Sequence, residues 1–208
     1  SGVTANFENI VGSGSADTLT GDGNANRIHG GSGNDTIYGK GGNDILYGDI
    51  GTYNGSVNTM PSGLGGQGPA YGHYDTGNDK IYGGAGNDTL YGAGGDDTLD
   101  GGTGTDTLTG GEGVDSFIIR AGDGSSSLAD ANVITDFTDG TDLIGLDNGL
   151  TYNDLNISQG TGDYANHTII KTGSEYLFIV QNTTASNFTE SDFTPVDINE
   201  ALANGFVG

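Results

Sequence analysis

The chain has 208 residues, of which 42 are Gly and none is Cys or Trp, and its 28 Asp and Glu against 5 Lys and Arg give a formal net charge of −23. Glycine so far above its usual ~7% excludes an ordinary helical enzyme domain, and only 3 Pro exclude collagen. The acidic excess excludes nucleic acid and anionic membranes as direct partners, since those need Lys and Arg clusters, and apolar runs such as Tyr176 to Val180 are far below the ~20 residues that span a bilayer.

Read from the N-terminus, large apolar residues fall at every ninth position. They are Ile10, Leu19, Ile28, Ile37 and Leu46, then Ile81, Leu90, Leu99, Leu108 and Phe117. Two positions before each stands an acid or amide: Glu8, Asp17, Asn26, Asp35 and Asp44, then Asp79, Asp88, Asp97, Asp106 and Asp115. Glycine crowds the residues just ahead of these, as in GGSGNDTIY (30 to 38), GKGGNDILY (39 to 47), GGAGNDTLY (83 to 91), GAGGDDTLD (92 to 100), GGTGTDTLT (101 to 109) and GGEGVDSFI (110 to 118). A flexible acidic linker has no phased apolar position, so the pattern demands order.

Each unit divides into a turn half and a strand half. Gly and Asn supply left-handed turn conformations, while Thr36-Ile37-Tyr38 and Thr89-Leu90-Tyr91 have strand composition. In such a triplet only the middle side chain enters the core, and a three-residue strand is stable only when stacked on others. The expected result is a solenoid with a thin Leu and Ile ladder inside. Stacking also puts the acids in rows about 4.8 Å apart, where like charges repel by roughly 1 kcal/mol per pair even at a water-like dielectric. Carboxylates and turn carbonyls together offer an all-oxygen site that suits a hard cation with six to eight ligands, calcium better than magnesium.

These units resemble the repeats-in-toxin (RTX) calcium-binding nonapeptide, G-G-x-G-x-D-x-U-x with U a large apolar residue. The likeness covers residues 12 to 47 and 74 to 118, and 3 to 11 weakly through Phe7, Glu8 and Ile10. It implies an all-β fold, a right-handed parallel β-roll, in which two units make a coil and calcium lies between turns on the same side. Carried onto this chain, it pairs Asp17 with Asp35, Asp79 with Asp97, Asp88 with Asp106 and Asp97 with Asp115, with Asn26 and Asp44 a weaker pair. It further implies metal contacts from the turn residues Gly30, Ser32, Gly33, Gly39, Gly41, Gly42, Gly83, Ala85, Gly86, Gly92, Gly94, Gly95, Gly101, Thr103 and Gly104. Asn26 departs from the motif, as do Tyr74 and Asp75 where two Gly are expected. Asp22-Gly-Asn24 mimics the start of an EF-hand loop, but Arg27 and Gly33 stand where its Gly and Glu belong.

Residues 48 to 73 match no repeat and interrupt the roll. This stretch contains Tyr53, Met60, Leu64, Tyr71 and His73, and it reads either as a lasso packed over the roll or as a recognition loop for extracellular polysaccharide or a cell surface. Tyr38, Tyr47, Tyr82 and Tyr91 end four units and predict an outward aromatic strip that stabilises the sheets or stacks on sugars. His29, at the same position of its unit, reads as a surface residue.

After Phe117 the nine-residue phase stops. Val133 to Asp136, Ile157 to Ser158, His167 to Lys171 and Tyr176 to Val180 read as antiparallel strands of a small β cap over 119 to 208. VITDFTDGTDLIGL (133 to 146) is similar to the segment that follows the last repeats in RTX proteins, which implies an uncleaved type I secretion signal from about Thr184 to Gly208. No catalytic motif stands out: His29, His73 and His167 lack ligand spacing, and there is no G-x-S-x-G elbow or phosphate-binding P-loop. The reading is a non-enzymatic calcium-binding module of a secreted protein, exported by type I secretion machinery and folded outside the cell. A chain that starts at Ser1 and has only Met60 reads as part of a longer protein with any activity upstream.

Overall fold

A computed structural model describes residues 9–49 and 77–198. Ten short strands follow the repeat: β1 (Asn9–Val11), β2 (Thr18–Thr20), β3 (Arg27–Gly31), β4 (Thr36–Gly41), β5 (Ile45–Asp49), β6 (Lys80–Ala85), β7 (Thr89–Gly94), β8 (Thr98–Thr103), β9 (Thr107–Glu112) and β10 (Ser116–Ile119). Successive strands alternate between two sheets, odd strands in one and even strands in the other, so two units complete one coil. These ten strands pair with one another only in parallel, and residues 18 apart are partners, as in Leu19↔Ile37 and Ile28↔Leu46.

The middle residue of each triplet does what strand alternation requires. Ile28, Ile37, Leu46, Ile81, Leu90, Leu99, Leu108 and Phe117 are completely buried and form one continuous core from both sheets. This is why a chain that is only 32% hydrophobic can fold: one side chain per unit fills a core one residue thick.

The parallel roll does not stop at Phe117. β11 (Asn132–Ile134) pairs in parallel with β9, and β12 (Leu143–Leu146) with β10, putting Ile134 beside Leu108 and Ile144 beside Phe117. The stretch expected to open the antiparallel cap is therefore two further strands of the roll. The antiparallel strands are β13 (Leu155–Gln159), β14 (Thr168–Thr172) and β15 (Glu175–Val180), the last of which docks in parallel on β11 and takes an antiparallel bridge from Ser125 to Tyr176. β16 (Phe193–Pro195) extends the other sheet beside β12. Phe137 stacks on Phe188 at 5.1 Å and meets Phe117 at 6.2 Å, closing the open end of the core with aromatic rings.

The interruption leaves the phase intact. Ile37 pairs with Ile81 and Leu46 with Leu90, so the partners are 44 residues apart where 18 is the rule. Gly48 lies against the Asp79 carboxylate and the Gly92 carbonyl, as the first Gly of every other interior unit lies against its own Asp. Gly48, rather than Tyr74, thus fills the first place of the unit that Asp79 completes. Most of the 48 to 73 stretch, with the recognition or lasso role assigned to it, lies outside the described residues.

Candidate metal-binding turns

The turn half of the units that begin at Gly30, Gly39, Gly83, Gly92, Gly101 and Gly110 uses two left-handed residues. Gly33, Gly42, Gly86, Gly95 and Gly104 have φ of +99°, +99°, +136°, +119° and +141°. The second position is left-handed too, and there two units carry a side chain: Lys40 (φ +81°) and Ala93 (φ +91°). These turns bring the acids into two columns, one along each side of the roll.

Asp17, Asp35, Asp79, Asp97, Asp115 and Asp142 line one side, and Asn26, Asp44, Asp88, Asp106 and Asn132 line the other. Within a column each side-chain Oδ1 after the first accepts the backbone N–H of the residue one coil earlier. Asp17 N donates to Asp35 at 2.8 Å, Asp79 to Asp97 at 2.8 Å, Asp88 to Asp106 at 2.8 Å and Asp97 to Asp115 at 3.0 Å. All four pairs implied by the repeat are thus brought together, and so is Asn26 with Asp44 at 2.7 Å. Two further pairs, Asp35 with Asp79 and Asp44 with Asp88, bridge the interruption.

Oδ1 is therefore employed in holding coils together. The other oxygen is not: Oδ2 of Asp44, Asp88, Asp106 and Asp115 is buried and accepts no hydrogen bond. Leaving a charged acceptor buried and unpaired costs several kcal/mol on the usual scale. Burial accordingly pushes Asp88 and Asp115 up to about 7, and Asp44 and Asp106 up to about 6. A cation beside Oδ2 would reverse that direction.

Glycine makes room for this oxygen. A Cβ at Gly39, Gly92, Gly101 or Gly110 would collide with Oδ2 of Asp44, Asp97, Asp106 or Asp115, and one at Gly83 would lie 2.5 Å from Asp88 Oδ2 and 2.6 Å from the Gly101 carbonyl oxygen. Buried carboxylate oxygens beside main-chain carbonyls form the hard, all-oxygen donor set that calcium takes. Among the described residues no three His, Cys, Asp or Glu side chains converge as a metal cluster, so the remaining donors would have to be turn carbonyls. Of the turn residues singled out from sequence, Thr103 already spends its carbonyl on Gly86 N–H at 3.0 Å. A bound ion would supply positive charge to the columns.

The fifth turn position carries a ladder of its own, running the opposite way. Asn43 Oδ1 accepts from Asn87 N–H, Asn87 from Thr105, Asn78 from Asp96, and Asp96 from Val114, at 2.9 to 3.0 Å. The sequence carries this ladder in the first residues of the doublets Asn43-Asp44, Asn78-Asp79, Asn87-Asp88 and Asp96-Asp97.

The aromatic strip is real but turned inward on itself. Tyr38 stacks on Tyr82 at 5.2 Å, and His29, Tyr47 and Tyr91 stack in sequence at 5.1 and 4.9 Å, all within 13° of parallel. Tyr47 gives both ring faces to its neighbours, and the other four rings give one face each. His29, expected at the surface, is only 7% exposed, because it heads this stack. Burial, with the Arg27 charge adding to it, lowers its pKa.

Other acids, most of them beyond the nonapeptide units, also find roles. Arg120 binds Asp100 at 2.7 Å, Asp123 at 2.6 Å and Asp147 at 2.9 Å, tying β8 to the segments beyond β10. Asp142 continues its column by accepting Asp115 N–H at 3.1 Å.

Two facing parallel sheets joined by Gly-Asp turns with oriented carboxylates define a β-roll with metal-binding turns. Residues 4–37, 20–53, 75–99 and 91–127 match the family described as the RTX calcium-binding nonapeptide repeat, in four copies. The repeat region of this chain belongs to that family, and its turns bind Ca²⁺, several ions in all. No curated protein matches the chain significantly. Among solved structures, it is similar to the extracellular lipase LipA from Serratia marcescens, with 16% identity and a TM-score of 0.44 over 93% of this chain and 40% of the lipase. The chain thus spans two-fifths of the lipase's length. It is also similar to the AlgE6R2 and AlgE6R3 subunits of the Azotobacter vinelandii mannuronan C5-epimerase. For AlgE6R2 the identity is 24% and the TM-score 0.45, over 92% of this chain and 93% of the subunit. For AlgE6R3 they are 23% and 0.36, over 93% and 86%.

Proposed function

We propose that this calcium-binding β-roll couples its folding to extracellular Ca²⁺, serving the export of a secreted protein by type I secretion machinery and its stability outside the cell. The observation that carries the reading is the pair of columns in which buried carboxylates keep one oxygen for the neighbouring coil and leave Asp44, Asp88, Asp106 and Asp115 Oδ2 without a partner. Where calcium is scarce, burial of these charges opposes folding and the −23 net charge keeps the chain expanded. Where calcium is plentiful, metal binding free energy becomes folding free energy.

Circular dichroism during a calcium titration tests the coupling. The expected course is a chelator-treated chain with little β signal that gains it in a single cooperative transition. Full β signal in chelator would overturn the coupling.

A further inference from the structure

Among the described residues, both columns end in turns built differently from those between them. At the N-terminal end, Asp17 Oδ2 accepts the Ser13 N–H at 2.6 Å and the Ser13 hydroxyl at 2.8 Å, both from its own turn. These bonds hold the Asp17 carboxyl below its usual range, whereas the interior acids are raised. At the other end of the same column, Asp142 Oδ2 accepts Thr138 N–H at 2.7 Å, again from four residues earlier. In the second column the acid is replaced at both ends by an amide. Asn26 Oδ1 accepts Asp22 N–H at 2.8 Å within its turn, and Asn132 Oδ1 accepts Asp106 N–H at 2.8 Å.

In the turns of Asp35, Asp44, Asp88, Asp97, Asp106 and Asp115 the second residue is left-handed, with φ from +81° at Lys40 to +116° at Gly31. There the Oδ2 of Asp44, Asp88, Asp106 and Asp115 stays unpartnered while these residues are at most 2% exposed. Ser13, Asp22 and Thr138 are not among the residues with positive φ. One backbone choice at this position therefore separates a turn whose amide closes onto its own carboxylate from a turn whose carboxylate oxygen faces inward without a donor.

We infer that the end turns Ser13–Asp17, Asp22–Asn26 and Thr138–Asp142 are closed by their own amides and take no calcium, which binds only at the interior turns. This rests on the calcium reading above and narrows it, since Asp17 belongs to the repeat by sequence and by its N–H bond to Asp35, but not by what its Oδ2 accepts. A backbone N–H supplies at Asp17 and Asp142 the compensation that an ion supplies elsewhere. The neutral Asn26 and Asn132 add no charge for a dication to offset. The end turns thereby need no ion of their own, and they bracket the ion-dependent part of the roll.

Native mass spectrometry of the full chain, with calorimetric calcium titration, tests this by counting ions. Asp17→Asn and Asp142→Asn should each retain the parent's ion count, with a calcium midpoint shifted less than about twofold (under ~0.4 kcal/mol). Asp88→Asn should lose at least one ion and shift the midpoint at least tenfold. Loss of an ion from Asp17→Asn or Asp142→Asn overturns the assignment of closed ends, and this comparison with the parent decides even if Asp88→Asn does not fold. An Asp88→Asn chain that keeps every ion, or a parent that binds none, overturns the calcium reading itself.

Discussion

The backbone N–H of Asp44 donates to Oδ1 of Asp88 at 2.7 Å although the two residues are 44 apart in sequence. Every feature of an uninterrupted pair 18 apart, such as Asp88 and Asp106 at 2.8 Å, is reproduced there. The interruption is thus worth 26 residues, the difference between these two spacings, and falls inside one turn between Gly48 and Asp79.

Deleting residues 50 to 75 joins Asp49 to Thr76 and reads GDTGNDKIY across the splice, a complete unit. The shortened chain should bind the same number of calcium ions and melt no lower than the parent, since closing the excised loop costs on the order of 3 kcal/mol. Calcium-loaded melting followed by circular dichroism checks it. A shortened chain that no longer gains β signal with calcium would show that the insertion supports the roll.

Replacing Gly83 by Ala puts a methyl 2.5 Å from Asp88 Oδ2 and 2.6 Å from the Gly101 carbonyl oxygen. Overpacking of this kind costs about 1–3 kcal/mol, and the calcium midpoint should rise with it. Gly14→Ala is the control, because nothing lies within 4 Å of its Cβ; it should change stability by less than about 0.5 kcal/mol.

Arg120→Ala leaves Asp100 and Asp147, 3% and 0% exposed, without their cation. Removing one partner from such a cluster costs roughly 3–5 kcal/mol. Thermal unfolding of the calcium-loaded chain should show the loss, and an unchanged melting temperature would remove the clamp from the account of stability.

Without calcium, acid should favour the roll. Burial raises Asp44 and Asp106 to about 6 and Asp88 and Asp115 to about 7, above an unfolded value near ~4. A raised carboxyl contributes stability that is fully present below the unfolded pKa and lost as pH climbs through the folded one. In chelator, β signal at pH 5 should therefore exceed that at pH 8. Equal signal at both would show that these carboxylates are not buried in the calcium-free chain.

The core ladder and the columns were legible because both repeat every nine residues. Leu90 and Asp88 announce each other by spacing alone. The two extra strands were hidden by their long connections, although Asn132 stands two before Ile134 and Asp142 two before Ile144, the same offset as Asp115 before Phe117. The Arg120 clamp could not be read at all: its partners lie 20, 3 and 27 residues away, and no period relates them. Ser13 and Asp17 looked like any other unit because hydrogen bonds to a carboxylate leave no trace in the motif that names it.

Neighbouring turn residues engage opposite neighbours. Asp44 holds the coil before it through Asn26 N–H, while the adjacent Asn43 holds the coil after it through Asn87 N–H; Asp97 and Asp96 do the same with Asp79 and Val114. An interior coil cannot open without breaking bonds on both its flanks, so a penalty at one position is shared along the array. In the language of one-dimensional lattices, the interfacial coupling is strong relative to the stability of a single unit, and the roll melts as a block rather than fraying from its ends.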